Sequence, residues 1–149
     1  MQELKKVLEG HVFFRDMENR YLQTLSAGAC QVHFERGEEL FREGDEANYF
    51  YLLLSGKVAL FLPSYHTVPL EILTLGEGEI LGWSWLFSPY RWKLTAIAQE
   101  VTRAISLDGK FVREKCEEEH DLGYELMKRF AHVIDSRLEA LSLHLVEVT

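Results

Sequence analysis

Between Gln31 and Leu62 the chain reads QVHFERGEELFREGDEANYFYLLLSGKVALFL, a series of short apolar and aromatic runs cut by Gly37, Gly44 and Gly56. Runs of this length, with GD and SG as turn signals and with Phe50, Leu52, Leu54, Val58 and Leu60 at alternate positions, read as strands joined by tight turns. Further strands are expected at LEILTL, LTAIAQE and RAISL, about ten residues apart, the rhythm of a β sandwich or barrel. The expected class is therefore mainly β with flanking helices, in the manner of a jelly roll.

Helical periodicity brackets this region. Leu4, Val7 and Leu8 fall at helical spacing, as do Met17, Tyr21, Leu22 and Leu25, which places short helices within residues 1–29. Asp108 can cap a following helix by accepting its free amides, and Gly123 is the one strong breaker after it, so residues 108–149 are expected to be helical. Met127, Phe130, Ile134, Leu138, Leu141 and Leu145 then make an apolar stripe about five turns long. Two readings of it stay open: the stripe packs on the chain's own barrel, or it faces a partner helix in a dimer. A length of 149 residues suits one domain, with the roll over 30–107.

Composition excludes several functions. A net charge of −8 opposes attraction to a phosphate backbone, so direct nucleic-acid binding is not expected. Apolar runs such as YFYLLL and VALFL fall far short of the ~18 residues that cross a bilayer, and the opening MQELKKVLEG is punctuated by acids where a secretory signal needs an apolar core. Cys30 and Cys116 match no metal or redox spacing and read as two reduced cytoplasmic thiols. His120, His132 and His144 lie twelve residues apart, a step that sends them to different faces of a helix, and His33 and His66 are isolated. The closely spaced histidine pair and glutamate of a cupin-type metal enzyme is missing, CEEEHD reads as solvated charge near a helix start, and no phosphate loop or nucleophile elbow occurs. Neither a catalytic residue nor a metal site is expected.

The segment GEELFREGDEANYFYLLLSGKVALF, Gly37 to Phe61, strongly resembles the cyclic nucleotide-binding domain of the Crp/Fnr superfamily and of kinase and channel regulatory domains. Resemblance runs from about Leu22 to Leu145. It implies a double-stranded β-helix (jelly roll) of eight strands with a long C-terminal helix, a sensor or regulatory role, and cyclic AMP or cyclic GMP as ligand. It also implies that ligand shifts the closing helices between two arrangements. Crp/Fnr transcription factors continue into a helix-turn-helix domain, whereas this sequence stops at Thr149, so regulation is expected to run through a protein partner or a homodimer.

By the same resemblance LGWSWLFSPYRWKLTA, residues 81–96, stands where the family keeps its phosphate-binding cassette of strand, short helix and loop. There a glycine is followed by a glutamate that receives the ribose hydroxyl, and about ten residues later an arginine forks onto the phosphate, followed by a hydroxyl residue. Gly82 holds the glycine place, Trp83 the glutamate place and Ser84 the next. Register puts Trp92 in the arginine place, with Arg91 and Lys93 on either side and Thr95 as the hydroxyl. An indole cannot accept the sugar's hydrogen bond. Two outcomes follow for Trp83, Trp85 and Trp92: they stack a base or another flat anionic ligand whose charge meets Arg91 or Lys93, or they fill the vacated volume. In the second case the domain binds no nucleotide and serves as a protein-interaction module.

Overall fold

The structure, a computed structural model, describes residues 2–63 and 69–148, and the side chains of 3–63 and 69–143. His66 lies outside the described residues, as do the side chains of His144 and Leu145.

Two short helices, α1 (Gln2–Gly10) and α2 (Asn19–Ser26), open the chain around a 3-10 turn at Val12–Phe14. Eight strands follow: β1 (Ala29–Phe34), β2 (Glu39–Phe41), β3 (Tyr49–Ser55), β4 (Lys57–Leu62), β5 (Leu70–Gly76), β6 (Ile80–Leu81), β7 (Thr95–Ala98) and β8 (Thr102–Asp108). They form two antiparallel four-stranded sheets, ordered β1-β8-β3-β6 and β2-β7-β4-β5. This is the jelly roll that the strand rhythm implied. The chain closes with α3 (Gly109–Glu118) and α4 (His120–Val148).

Local chemistry explains the joints. Gly56 turns β3 into β4 at φ +99°, and a Cβ there would strike the Thr102 hydroxyl and lie 2.6 Å from the Val101 carbonyl, so only glycine fits. Asp108 starts α3 by accepting the Phe111 amide at 3.1 Å. His11 holds the 3-10 turn: Nδ1 accepts from the Phe13 amide at 3.2 Å, and Nε2 donates to the Leu53 carbonyl at 3.3 Å.

Strand β3 does not keep the alternation expected of it. Phe50 and Leu52 are buried and Leu54 only half so, while Tyr51 and Leu53 on the opposite face are also buried. A strand covered on both faces loses its period-two signature. Helices meet its Phe50 side. Trp85 stacks on Phe50 with ring centroids 4.5 Å apart, Phe130 of α4 sits edge-on to both at 5.5 Å, and Phe13 lies edge-on to Phe130 at 5.0 Å. A fully buried phenylalanine contributes about 1.5–3 kcal/mol against about 1 kcal/mol for a neutral hydrogen bond. Ring packing therefore sets how α4 lies on the roll.

With 29 residues, α4 is about 43 Å long at 1.5 Å per residue. Its buried ridge is Leu122, Leu126, Phe130, the half-buried Val133, and Arg137, at steps of four, four, three and four. The expected stripe is offset from this ridge. Phe130 alone is in the core; Ile134 and Leu141 are half-buried, Met127 is 38% exposed and Leu138 is 62% exposed. Of the five described residues of the stripe, two thus look away from the chain's own barrel and two more lie at its edge.

Candidate functional site

After β6 the backbone turns at Gly82, φ +100°, into a 3-10 turn at Ser84–Leu86, then loops back to β7. Trp85, wholly inaccessible to solvent, anchors this turn from within. Its indole N–H donates to the Gly82 carbonyl at 3.1 Å, and its own carbonyl accepts from the Arg113 guanidinium of α3. A Cβ on Gly109 would lie 2.8 Å from Trp85 Cβ, so the start of α3 is pressed against the turn.

Trp92 closes the hollow from the other side. Only 6% exposed, it stacks on Phe41 of β2 at 3.7 Å with 10° between the planes. A Cβ built on Gly82 would lie 2.6 Å from Trp92 Cη2, so the indole edge occupies the space in front of that glycine. Its backbone is clipped to the loop between β2 and β3, donating to the Asp45 carbonyl at 3.0 Å and accepting from the Gly44 amide at 2.8 Å.

With Trp92 turned inward, its neighbours point elsewhere. Arg91 is exposed, donates to the Gly44 carbonyl at 3.3 Å, and lines a separate surface hollow with Tyr90, Lys110 and Arg113. Lys93 is exposed at the rim of the cassette hollow. The Thr95 hydroxyl accepts from the Glu43 amide at 3.1 Å. Ser84 and Trp83 border the hollow, whereas Trp85 lies in the core behind it. Of the eight cassette residues singled out in the sequence, the structure gathers Gly82, Trp83, Ser84, Trp92 and Lys93 around one cavity, and places Trp85, Arg91 and Thr95 outside its lining.

That cavity has a volume of about 260 Å³. Phe41, Leu60, Leu81, Trp83, Trp92 and Leu94 form its apolar walls. Arg137 of α4, missed in the sequence reading, completes it. The guanidinium sits 5.3 Å from the Trp83 ring centroid, and Nη2 donates to the Ile80 carbonyl. Among the described residues Arg137 is the one lysine or arginine that is buried. Burial pulls its pKa down to about 10, with the Glu79 carboxylate opposing the shift. Spacing carried the signal, since Arg137 lies seven residues beyond Phe130 on the ridge that begins at Leu122. A second hollow of about 740 Å³ lies on the other side of Arg137, between α4, β5 and the Val12–Phe14 turn. Among the described residues no cluster of histidine, cysteine, aspartate or glutamate could hold a metal ion, and no helix is long and apolar enough to cross a membrane.

An eight-stranded roll in which a strand, a glycine turn, a short helix and a loop are closed by a long helix defines a class of regulatory ligand-binding domain. Residues 31–119, more than half of the chain, match the cyclic nucleotide-binding domain family, and the chain belongs to it. Domains of this family regulate and do not catalyse. A cAMP-dependent protein kinase regulatory subunit of Debaryomyces hansenii is 28% identical over 80 residues, 54% of this chain and 17% of that protein. Among solved structures, a protein of Geobacter metallireducens described as cyclic nucleotide-binding superposes with a TM-score of 0.81 at 28% identity, over 90% of this chain and 97% of its own. The sensor domain of the transcriptional regulator DNR from Pseudomonas aeruginosa shares the fold at a TM-score of 0.73 and 19% identity, over 93% of each chain.

An indole stands at the glutamate place, a second indole fills the space before Gly82, and Arg91 beside it is engaged at another surface. Among the residues that line the cavity there is no carboxylate and no arginine from the cassette; Ser84 supplies the one side-chain acceptor.

Proposed function

We propose that this chain is a cytoplasmic sensor or regulatory domain whose cassette is remodelled so that cyclic AMP and cyclic GMP no longer fit, and that it signals through a homodimer or another protein partner. The observation that carries this reading is Trp92, stacked on Phe41 and pressed to within 2.6 Å of a would-be Gly82 Cβ, directly in front of the glycine that opens the cassette. The outward stripe on α4, with Met127 and Leu138 exposed, supports a protein contact on the element that closes the site. Burial of Trp85 and Trp92 also favours a second reading, in which the domain binds no small molecule and works by protein contacts alone.

The test is titration of the purified chain with cyclic AMP and cyclic GMP, followed by intrinsic tryptophan fluorescence and melting temperature. Neither nucleotide should saturate in the micromolar range. Micromolar saturation with a marked rise in Tm would sink the closed-cassette reading, because a ligand at 100 times its Kd stabilises the folded state by about 2.7 kcal/mol.

A further inference from the structure

The α4 helix carries a cation into the protein interior and leaves most of its hydrogen-bonding capacity unspent. Arg137 is 8% exposed, Nη2 donates to the Ile80 carbonyl, and among the described residues no carboxylate lies within ion-pairing distance of it. The nearby Glu79 is exposed and its carboxylate accepts from the Gly76 amide at 2.7 Å. A guanidinium has five N–H donors in a planar fork, so the other nitrogens have no described acceptor. Those nitrogens are within reach of solvent in the hollows that Arg137 lines, where an anion can meet them.

Around it lies the 260 Å³ cavity, apolar except for Ser84, Lys93 and Arg137 itself. This is below the roughly 300 Å³ at the lower end of sites for drug-sized ligands. Given a cassette closed to cyclic nucleotides, we infer that this cavity takes a small, flat anion with an apolar body, its charged group forked by Arg137 and its body laid against Trp83. The chemistry favours a carboxylate: two oxygens match the guanidinium fork, and one negative charge neutralises the buried cation. The site differs from a family cassette in where the anion is read, since the cation comes from the closing helix. Lys93, exposed at the rim, adds a point charge at the entrance.

Isothermal titration calorimetry of the full chain at pH 7 with naphthalene-2-carboxylate and its neutral analogue naphthalene-2-carboxamide tests the assignment. The wild type should bind the carboxylate at least tenfold more tightly than the amide. Arg137→Met should bind the two alike, and Arg137→Lys should recover part of the preference, as a charge without a fork. If the wild type binds both alike, or neither at millimolar concentration, or if Arg137→Met keeps the preference, the inference is overturned. The wild-type comparison needs no variant to fold, and Lys6→Met, altered at an exposed position of α1 outside the cavity lining, should keep the preference. Cyclic AMP in the same calorimeter separates the two readings: micromolar binding of it overturns the closed cassette, while equal binding of acid and amide overturns only the role of Arg137.

Discussion

Replacing Gly82 by alanine sets the closed cassette against a number. The residue sits at φ +100°, where a side chain costs about 1–2 kcal/mol in backbone strain. The new Cβ would also lie 2.6 Å from Trp92 Cη2 and 2.9 Å from Cζ3, ring atoms whose retreat is opposed by the stack on Phe41. Overpacking of this kind costs about 1–3 kcal/mol, for a total of roughly 2–5 kcal/mol. At about 2–4 °C per kcal/mol for a domain of this size, the melting temperature should fall by roughly 5–20 °C. Trp92→Leu removes both offending atoms while keeping part of the buried bulk, so it should cost less than the roughly 3–5 kcal/mol of truncation to alanine. In that background Gly82→Ala should show only its backbone cost. A double-mutant cycle by urea denaturation should therefore return a coupling of about 1–3 kcal/mol. Additivity within about 0.5 kcal/mol would mean that the Trp92 ring does not stand before Gly82, and the case for a filled cassette would go with it.

Two further outcomes are expected. Burial lowers the pKa of His11 below 6.5, a shift that its bond to the Leu53 carbonyl opposes, so the unfolded chain takes up a proton first and stability falls as pH drops below 6.5. The loss is at most about 1.4 kcal/mol per pH unit; His11→Asn, which retains an acceptor for the Phe13 amide, should show a smaller fall in urea midpoint between pH 7 and pH 5.5. The double variant Met127→Glu/Leu138→Glu, altered at exposed positions on α4, should weaken self-association at least tenfold by sedimentation equilibrium without changing Tm, whereas a concentration-independent monomer mass for the wild type would refute the dimer.

The roll was legible because its turns are written in glycine: Gly37, Gly44, Gly56 and Gly82 all have positive φ, and the apolar runs between them are strand-length. The cassette's place was legible for the same reason, as Gly82 starts it. Which side of the loop Trp92 takes was not, because the identities of Arg91, Trp92 and Lys93 do not fix the register; the Gly44 and Asp45 backbone bonds do. Helix α4 offers two ridges about one residue apart that meet at Phe130. The more apolar one exposes Met127 and Leu138 and half-buries Ile134 and Leu141; the one that packs inward includes Arg137, and a count of hydrophobic residues discounts a ridge that contains a charge.

The bond from Arg137 to the Ile80 carbonyl gives the closing helix a latch on β6, the strand that leads into the cassette. A molecule that takes the whole guanidinium for itself must first undo that latch, so occupancy and helix position cannot change independently. The leverage is bounded by what is undone: a hydrogen bond involving a charged group is worth about 1.5–3 kcal/mol, which caps the shift at roughly tenfold to a hundredfold. Such a device would act as a dimmer, grading its output, more than as an all-or-none relay.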